Sequence, residues 1–172
     1  MTYKQVLDPT SHSVIFIKGF KNVKNISELK EKLFDGSLQC CICKLSLILD
    51  PFQIVVAANK AITAGKLITK SIYTEILYNL SISKNITQSL QKFGIDESVD
   101  NIIVAVIAKE NDSVNAQQIF KEIIGDEINL SLLKEMANVT DIRKAYKISD
   151  SEFQELPLLE SIITRIAIND LI

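Results

Sequence analysis

Ile48-Leu49-Asp50-Pro51-Phe52-Gln53-Ile54-Val55-Val56-Ala57-Ala58-Asn59-Lys60-Ala61 decides how the rest of the chain is read. An apolar run from Leu45 to Leu49 stops at Asp50, and Pro51 follows. Asp is a good N-cap because its carboxylate accepts from the orphan amides of a first helical turn. Pro suits the first helical position, where its missing N–H is not needed. The pair predicts a helix from Pro51 to about Gly65, which would close it in a left-handed conformation. Ile54, Val55, Ala58, Ala61, Ile62 and Gly65 share one arc at helical spacing, while Phe52 and Val56 fall on the other side. Only Gln53, Asn59, Lys60 and Thr63 are then left to face water. A helix this apolar is either central to its domain or covered by a partner.

Working outward, Leu45–Leu49 is read as a strand leading into that helix, and Val14–Ile17 as an earlier strand that breaks at Gly19. Between them, Ser27 is placed as the cap of a short helix through Phe34, with Gly36 just past its end. Residues 37–44 suit an extended segment as well as a loop. Downstream, Ile72, Ile76, Leu77 and Leu80 recur at helical spacing between Ser71 and Ser83, although Tyr73, Ile76 and Tyr78 also fit a strand. Asn85 caps a helix carrying Ile86, Leu90 and Phe93 and closed by Gly94. Ile102–Ala108 is apolar on both faces, as a central strand is. Helical patterns follow from Ser113 to Gly125, around Ser131–Ala137, from Asp141 to Tyr146, and from Pro157 to about Ile168. The pattern describes one α+β domain over residues 1–172, with a small, mostly antiparallel sheet, several helices and a helix-rich C-terminal half.

The 172 residues suffice for one sizeable core, and 47% hydrophobic with 23% charged residues is ordinary globular composition. With no Trp and few aromatics, that core must be built from Ile, Leu, Val and Ala. A net charge of −2 argues against an overall electrostatic grip on nucleic acid or an anionic membrane, though a local basic patch remains open. Seventeen of the nineteen cationic residues are Lys, which favours diffuse charge over bidentate phosphate recognition. The N-terminal residues lack a signal-like apolar core, and the apolar runs are too short to span a bilayer. A soluble, intracellular protein with no membrane partner is expected. Cys40, Cys41 and Cys43, odd in number and crowded together, suit a reducing compartment better than a disulfide framework.

Sites of chemistry are sparse. His12 lies beside Ser11 and Ser13, and a nucleophilic triad would need a partner carboxylate brought close by folding. The cysteine cluster has no second ligand pair elsewhere, which a structural zinc site built on paired C-x-x-C motifs needs. Glycine cradles and kinase signatures are absent. No cofactor is implied. Glu75 stands among Ile72, Ile76 and Leu77, either as a helix-start carboxylate favoured by the dipole or as a pocket acid. The residues alone leave two classes open. One is a non-catalytic interaction domain; the other is a small-molecule-binding or enzymatic domain using Glu75 or a cysteine.

Blocks of the chain add a resemblance. Asp50–Ala61 closely resembles a segment of the TPRKB family, the PRPK-binding proteins of the EKC/KEOPS complex. So do Phe20-Lys21-Asn22-Val23-Lys24-Asn25, Thr74-Glu75-Ile76-Leu77-Tyr78-Asn79-Leu80-Ser81, Asn85-Ile86, and Leu90-Gln91-Lys92-Phe93-Gly94-Ile95, in the family's order. Lys144-Ala145-Tyr146-Lys147-Ile148-Ser149 is similar too, and the cysteine cluster is outside the family pattern. The resemblance implies a non-enzymatic subunit found in cytoplasm and nucleus. It would bind the N-terminal lobe of a small atypical kinase/ATPase and reach the other EKC/KEOPS subunits indirectly. It would also help hold tRNA, notably its 3′ end, while the complex attaches threonylcarbamoyl to the adenosine beside the anticodon. On that basis Ile72, Ile76, Leu77, Leu80, Ile86 and Leu90 are assigned to the kinase interface. Lys60, Lys66, Lys70, Lys84 and Lys92 are assigned to tRNA phosphate. Phe52 and Val56 are a second choice for partner contact.

Overall fold

Asp50 caps its helix as the sequence implies. In the computed structural model, which describes residues 2–169, its carboxylate accepts from Phe52 N at 2.9 Å. The helix, α2, spans Pro51–Thr63 and ends at Ala64 in extended backbone, so Gly65 plays no left-handed closing role. Around it the chain runs β1 (Tyr3–Val6), β2 (Ser13–Lys21), α1 (Ile26–Asp35), β3 (Cys41–Lys44), α2, α3 (Ile72–Leu80), α4 (Ile86–Phe93) and β4 (Ile102–Lys109). There follow α5 (Val114–Lys121), β5 (Asp126–Ile128), α6 (Leu133–Met136), α7 (Val139–Tyr146), α8 (Asp150–Glu155) and α9 (Leu158–Ile168).

All the strand pairings are antiparallel, in the order β1-β2-β4-β3. β4 pairs with β2 from Ser13↔Lys109 to Phe20↔Ile102 and with β3 on its other edge, as its two apolar faces require. β1 and β5 share the remaining edge of β2, opposite Val14–Ile17 and Gly19–Lys21 respectively. Successive side chains point to opposite faces, so each strand feeds two cores. Ile15, Ile17, Cys41, Cys43, Ile103 and Ala105 face α2, α3, α7 and α9. Val14, Phe16, Phe20, Ile42, Val104 and Val106 face α1 and α5. The result is an α+β domain whose sheet is covered by helices on both faces.

Several expectations are corrected by this arrangement. Residues 45–49 are not a strand: Leu45–Leu47 form one 3₁₀ turn. Lys44 pairs with Ile102, the first residue of β4, so no partner strand remains beyond it and the chain turns. Residues 41–44, left open between loop and strand, are β3. β2 runs straight through Gly19, where a Cβ would meet Ile128 Cγ1 at 2.8 Å; the glycine serves the close approach of β5 rather than a break. α1 starts at Ile26, with Asn25 rather than Ser27 at its cap position. The Asn25 amide ties that end to the chain after α5, donating to Glu122 O at 2.8 Å and accepting from Ile124 N at 3.0 Å. Over 71–83 the helical alternative holds, as α3, opened by a reciprocal Ser71/Thr74 capping box.

Gln53 is the other correction. It does not face water but is fully buried. Its amide oxygen accepts from Leu49 N at 3.0 Å, and its Nε2 donates to Leu47 O and to the Tyr146 hydroxyl, each at 3.0 Å. The Tyr146 hydroxyl in turn donates to Leu80 O at 2.6 Å. This network satisfies every group it buries, which is the condition for a polar side chain inside a core. It joins the entry of α2, the end of α3 and the end of α7. Each of those ends lies in one of the blocks that carry the family resemblance.

A basic cleft and an apolar face as the candidate functional site

The five lysines assigned to tRNA do not share one surface. Lys60 leaves the last turn of α2, Lys66 the α2–α3 loop, and Lys84 the α3–α4 loop. Folding brings these three around one cleft of about 470 Å³, with Ile68, Glu75, Tyr78 and Asn79 in its wall. Lys60 Nζ donates to Ile166 O at 2.8 Å, which fixes one edge of the cleft to α9. Asn79 is anchored through its Nδ2 to Ala57 O at 3.0 Å. Lys70 sits beyond this cleft and lines a separate groove with Phe34, Cys40, Tyr73 and Leu77. Lys92, in the last turn of α4, is exposed and lines neither.

Among the described residues that line the basic cleft, Glu75 is the one acidic side chain, and its carboxylate is turned to the protein. It accepts from Ile68 N at 3.0 Å, Thr69 N at 2.8 Å and Thr69 Oγ1 at 2.7 Å. It is buried in the first turn of α3, where the helix-start reading puts it, and it also binds the loop that carries Lys66. Lys60, Lys66 and Lys84 gather on this cleft, and the one carboxylate among its described lining residues is engaged by the protein. Such a site can hold phosphate, and Ile68 and Tyr78 supply apolar surface beside it.

The six residues assigned to the kinase interface divide. Ile76 and Leu80 are fully buried in the core between the sheet and α2, so they have no surface to offer. Burial of each stabilises the domain by about 1.5–3 kcal/mol. Ile72, Leu77 and Leu90 are half-buried, and Ile86 is 38% exposed. A richer apolar surface lies elsewhere. Val6 of β1 and Phe52 of α2 are 51% and 45% exposed, and Ile168 at the end of α9 is 39% exposed. Val56, one turn on from Phe52, and Ala167 share a shallow depression with Val6. Val6, Ile168 and Ile68 are not singled out by the sequence, because a lone apolar residue in a short strand, a helix end or a loop has no periodicity to flag it.

The other chemical candidates do not converge. His12 is exposed and ends a short turn at φ 52°. Cys41 and Cys43 lie in the core on one face of the sheet, and Cys40 in the core on the other. Burial pushes the Cys40 and Cys43 thiols up to about 12 and raises Cys41 as well. Among the described residues no His, Cys, Asp and Glu group is placed to hold a metal ion, and no helix is long and apolar enough to cross a membrane.

A helical layer presenting an apolar face and a basic cleft on a rigid sheet defines a binding domain. Residues 20–170 match the family described as kinase binding protein CGI-121, and the chain belongs to that family. It is 34% identical to the EKC/KEOPS complex subunit TPRKB of Danio rerio over 154 residues, covering 88% of each chain. The EKC/KEOPS complex subunit cgi121 of Aspergillus fumigatus is 26% identical over 169 residues, 90% of this chain and 88% of its own. The CGI121 subunit of Candida albicans is 32% identical over 114 residues, 58% and 56% of the two chains. The resemblance carried by Asp50–Ala61 and its companion blocks is borne out.

Proposed function

We propose that the chain is a non-catalytic subunit of an EKC/KEOPS complex in cytoplasm and nucleus. It binds and supports the small atypical kinase/ATPase and through it reaches the other subunits. It helps recruit the tRNA whose adenosine beside the anticodon receives threonylcarbamoyl. The family description and the names of the relatives support the assembly. The observation that carries the docking surface is the exposed Phe52, one helical turn before Val56, which lines a depression with Val6 and Ala167. An interface core is apolar, and aromatic anchors dominate its energetics. Phe52 is the anchor. Lys60, Lys66 and Lys84 form the tRNA cleft, with Lys70 and Lys92 outside its first contact.

Isothermal titration with the purified kinase subunit tests the docking. Phe52→Asp is expected to cost about 2 kcal/mol or more, roughly 30-fold in Kd, because it truncates a hot spot and places a charge in its pocket. Ile86→Asp and Leu90→Asp on α4 are expected to bind as the unaltered chain does. The reverse pattern moves the interface to the α3–α4 surface of Ile72, Leu77, Ile86 and Leu90 and overturns the assignment. For tRNA, three phosphate contacts to a single-stranded segment give a slope of log K against log salt of about −2. A salt-insensitive affinity, measured with and without the kinase, would remove the cleft from the mechanism.

A further inference from the structure

Residues 64–70, between α2 and α3, bend repeatedly without forming a hydrogen-bonded turn. A segment of this kind needs side chains to hold it. Glu75 does so from the first turn of α3, taking the two amides of Ile68 and Thr69 and the Thr69 hydroxyl. Thr74 Oγ1 adds a bond to Thr69 Oγ1 at 2.9 Å and, with Ser71, closes the capping box that starts the helix. The segment bears Lys66 and Ile68 on the wall of the basic cleft and Lys70 on the neighbouring groove. Ile68 is well exposed there.

We infer that Glu75 is the positioning residue of the nucleic-acid cleft: by clamping the Ile68 and Thr69 amides it preorganises Lys66 and Ile68 for a ligand. The inference rests on the tRNA reading of that cleft. A carboxylate suits the task for a stereochemical reason. Two acceptor oxygens meet three donors, whereas a Gln amide offers one oxygen and sets its NH₂ against a backbone N–H. Glu75 need not touch RNA. With the clamp removed, Lys66 is no longer held where a phosphate can meet it, so that contact and the counterion release that goes with it are lost.

The test uses the full chain and an unmodified tRNA transcript, with affinity measured across a salt series. Lys66→Ala is expected to reduce the salt slope by about 0.7–0.9, the share of one phosphate contact. Glu75→Gln is expected to reduce it by a similar amount, and the Glu75→Gln/Lys66→Ala pair to lose little more than either alone, as coupled residues do. Thr69→Val, which removes one of the three donors at a half-buried site, is expected to move in the same direction by less. Amide exchange at Ile68 and Thr69 is expected to quicken in Glu75→Gln. If Glu75 served only general stability, its replacement would lower affinity by the same factor at every salt concentration and leave the slope alone, which would overturn the inference. Unchanged affinity in Glu75→Gln beside a weakened Lys66→Ala overturns it too, while leaving the tRNA reading intact. No binding by the unaltered chain, or no effect of Lys66→Ala and Lys84→Ala, overturns the tRNA reading and the inference with it.

Discussion

Replacing Tyr146 by Phe removes a single oxygen from the middle of the protein. Tyr146 is fully buried, and its hydroxyl is the shared partner of Gln53 Nε2 at 3.0 Å and Leu80 O at 2.6 Å. The ring keeps its packing, including the tilted contact with Phe93 at 5.9 Å between centroids, so the loss is polar. A typical buried hydrogen bond contributes about 1 kcal/mol net, and a buried group left without a partner costs about 1–3 kcal/mol. Gln53 Nε2 retains Leu47 O, which limits its penalty, whereas Leu80 O loses a short bond at a helix end. The sum is about 2–3 kcal/mol. At about 2–4 °C per kcal/mol for a domain of this size, the thermal midpoint should fall by about 4–12 °C. Urea titration of Tyr146→Phe, Gln53→Met and the double variant measures both the cost and the coupling. The double variant should cost less than the two single changes added together, because each leaves the other's partner stranded. A loss under about 0.5 kcal/mol for Tyr146→Phe, the scale of an ordinary surface change, would refute the view that this network joins the three helix ends.

Two further outcomes follow from the titrating groups. The Arg165 fork, bonded to both carboxylate oxygens at 2.6 Å, holds Glu152 down to about 2. The Ser98 hydroxyl and amide, then Lys44, hold Asp96 down to about 2. Carboxylates depressed in the folded state contribute stability above their ordinary values of 4.5 and 3.8 and lose it as pH falls toward 2. Thermal midpoints should therefore drop between pH 4.5 and 2, and Glu152→Gln should flatten part of that drop; an unchanged profile would exclude the pair as a source of acid sensitivity. The three buried thiols, protonated at neutral pH, should resist a thiol-specific disulfide reagent in the native state and react together on unfolding. A single fast-reacting thiol in the folded protein would contradict their placement in the two cores.

What the sequence reveals and what it conceals divides along the range of the interactions involved. The start of α2 is legible because Asp50 and Pro51 act within one turn, and β4 is legible because it is apolar on both faces. Residues 45–49 mislead because an apolar run does not say whether a strand is available to pair with it. Gln53 misleads for a related reason: its partners Tyr146 and Leu47 become neighbours only through folding. Ile76 and Leu80 look the same, in a list of apolar residues, whether they meet a kinase or the domain's own sheet. β1 and β5, with four and three residues, are too short to show a period. Of the lysines, Lys66 and Lys70 are close in sequence yet line different depressions, while Lys60 of α2 and Lys84 of the α3–α4 loop converge.

The pairing of β2 with β4 also bears on how the chain is made. It joins residues 13–20 to residues 102–109, and β1, β3 and β5 are organised around that pair. During synthesis the apolar flanks of β2 therefore emerge long before the strand that covers them. The helices α1 to α4 must form and wait beside an incomplete sheet until residue 109 has left the ribosome. Sheets closed by such distant segments fold slowly, since the entropy of closing the loop is lost before the pairing is gained. A chain truncated before β4 would present an unpaired, strongly apolar strand, the kind of surface that chaperones hold and that aggregates when they do not.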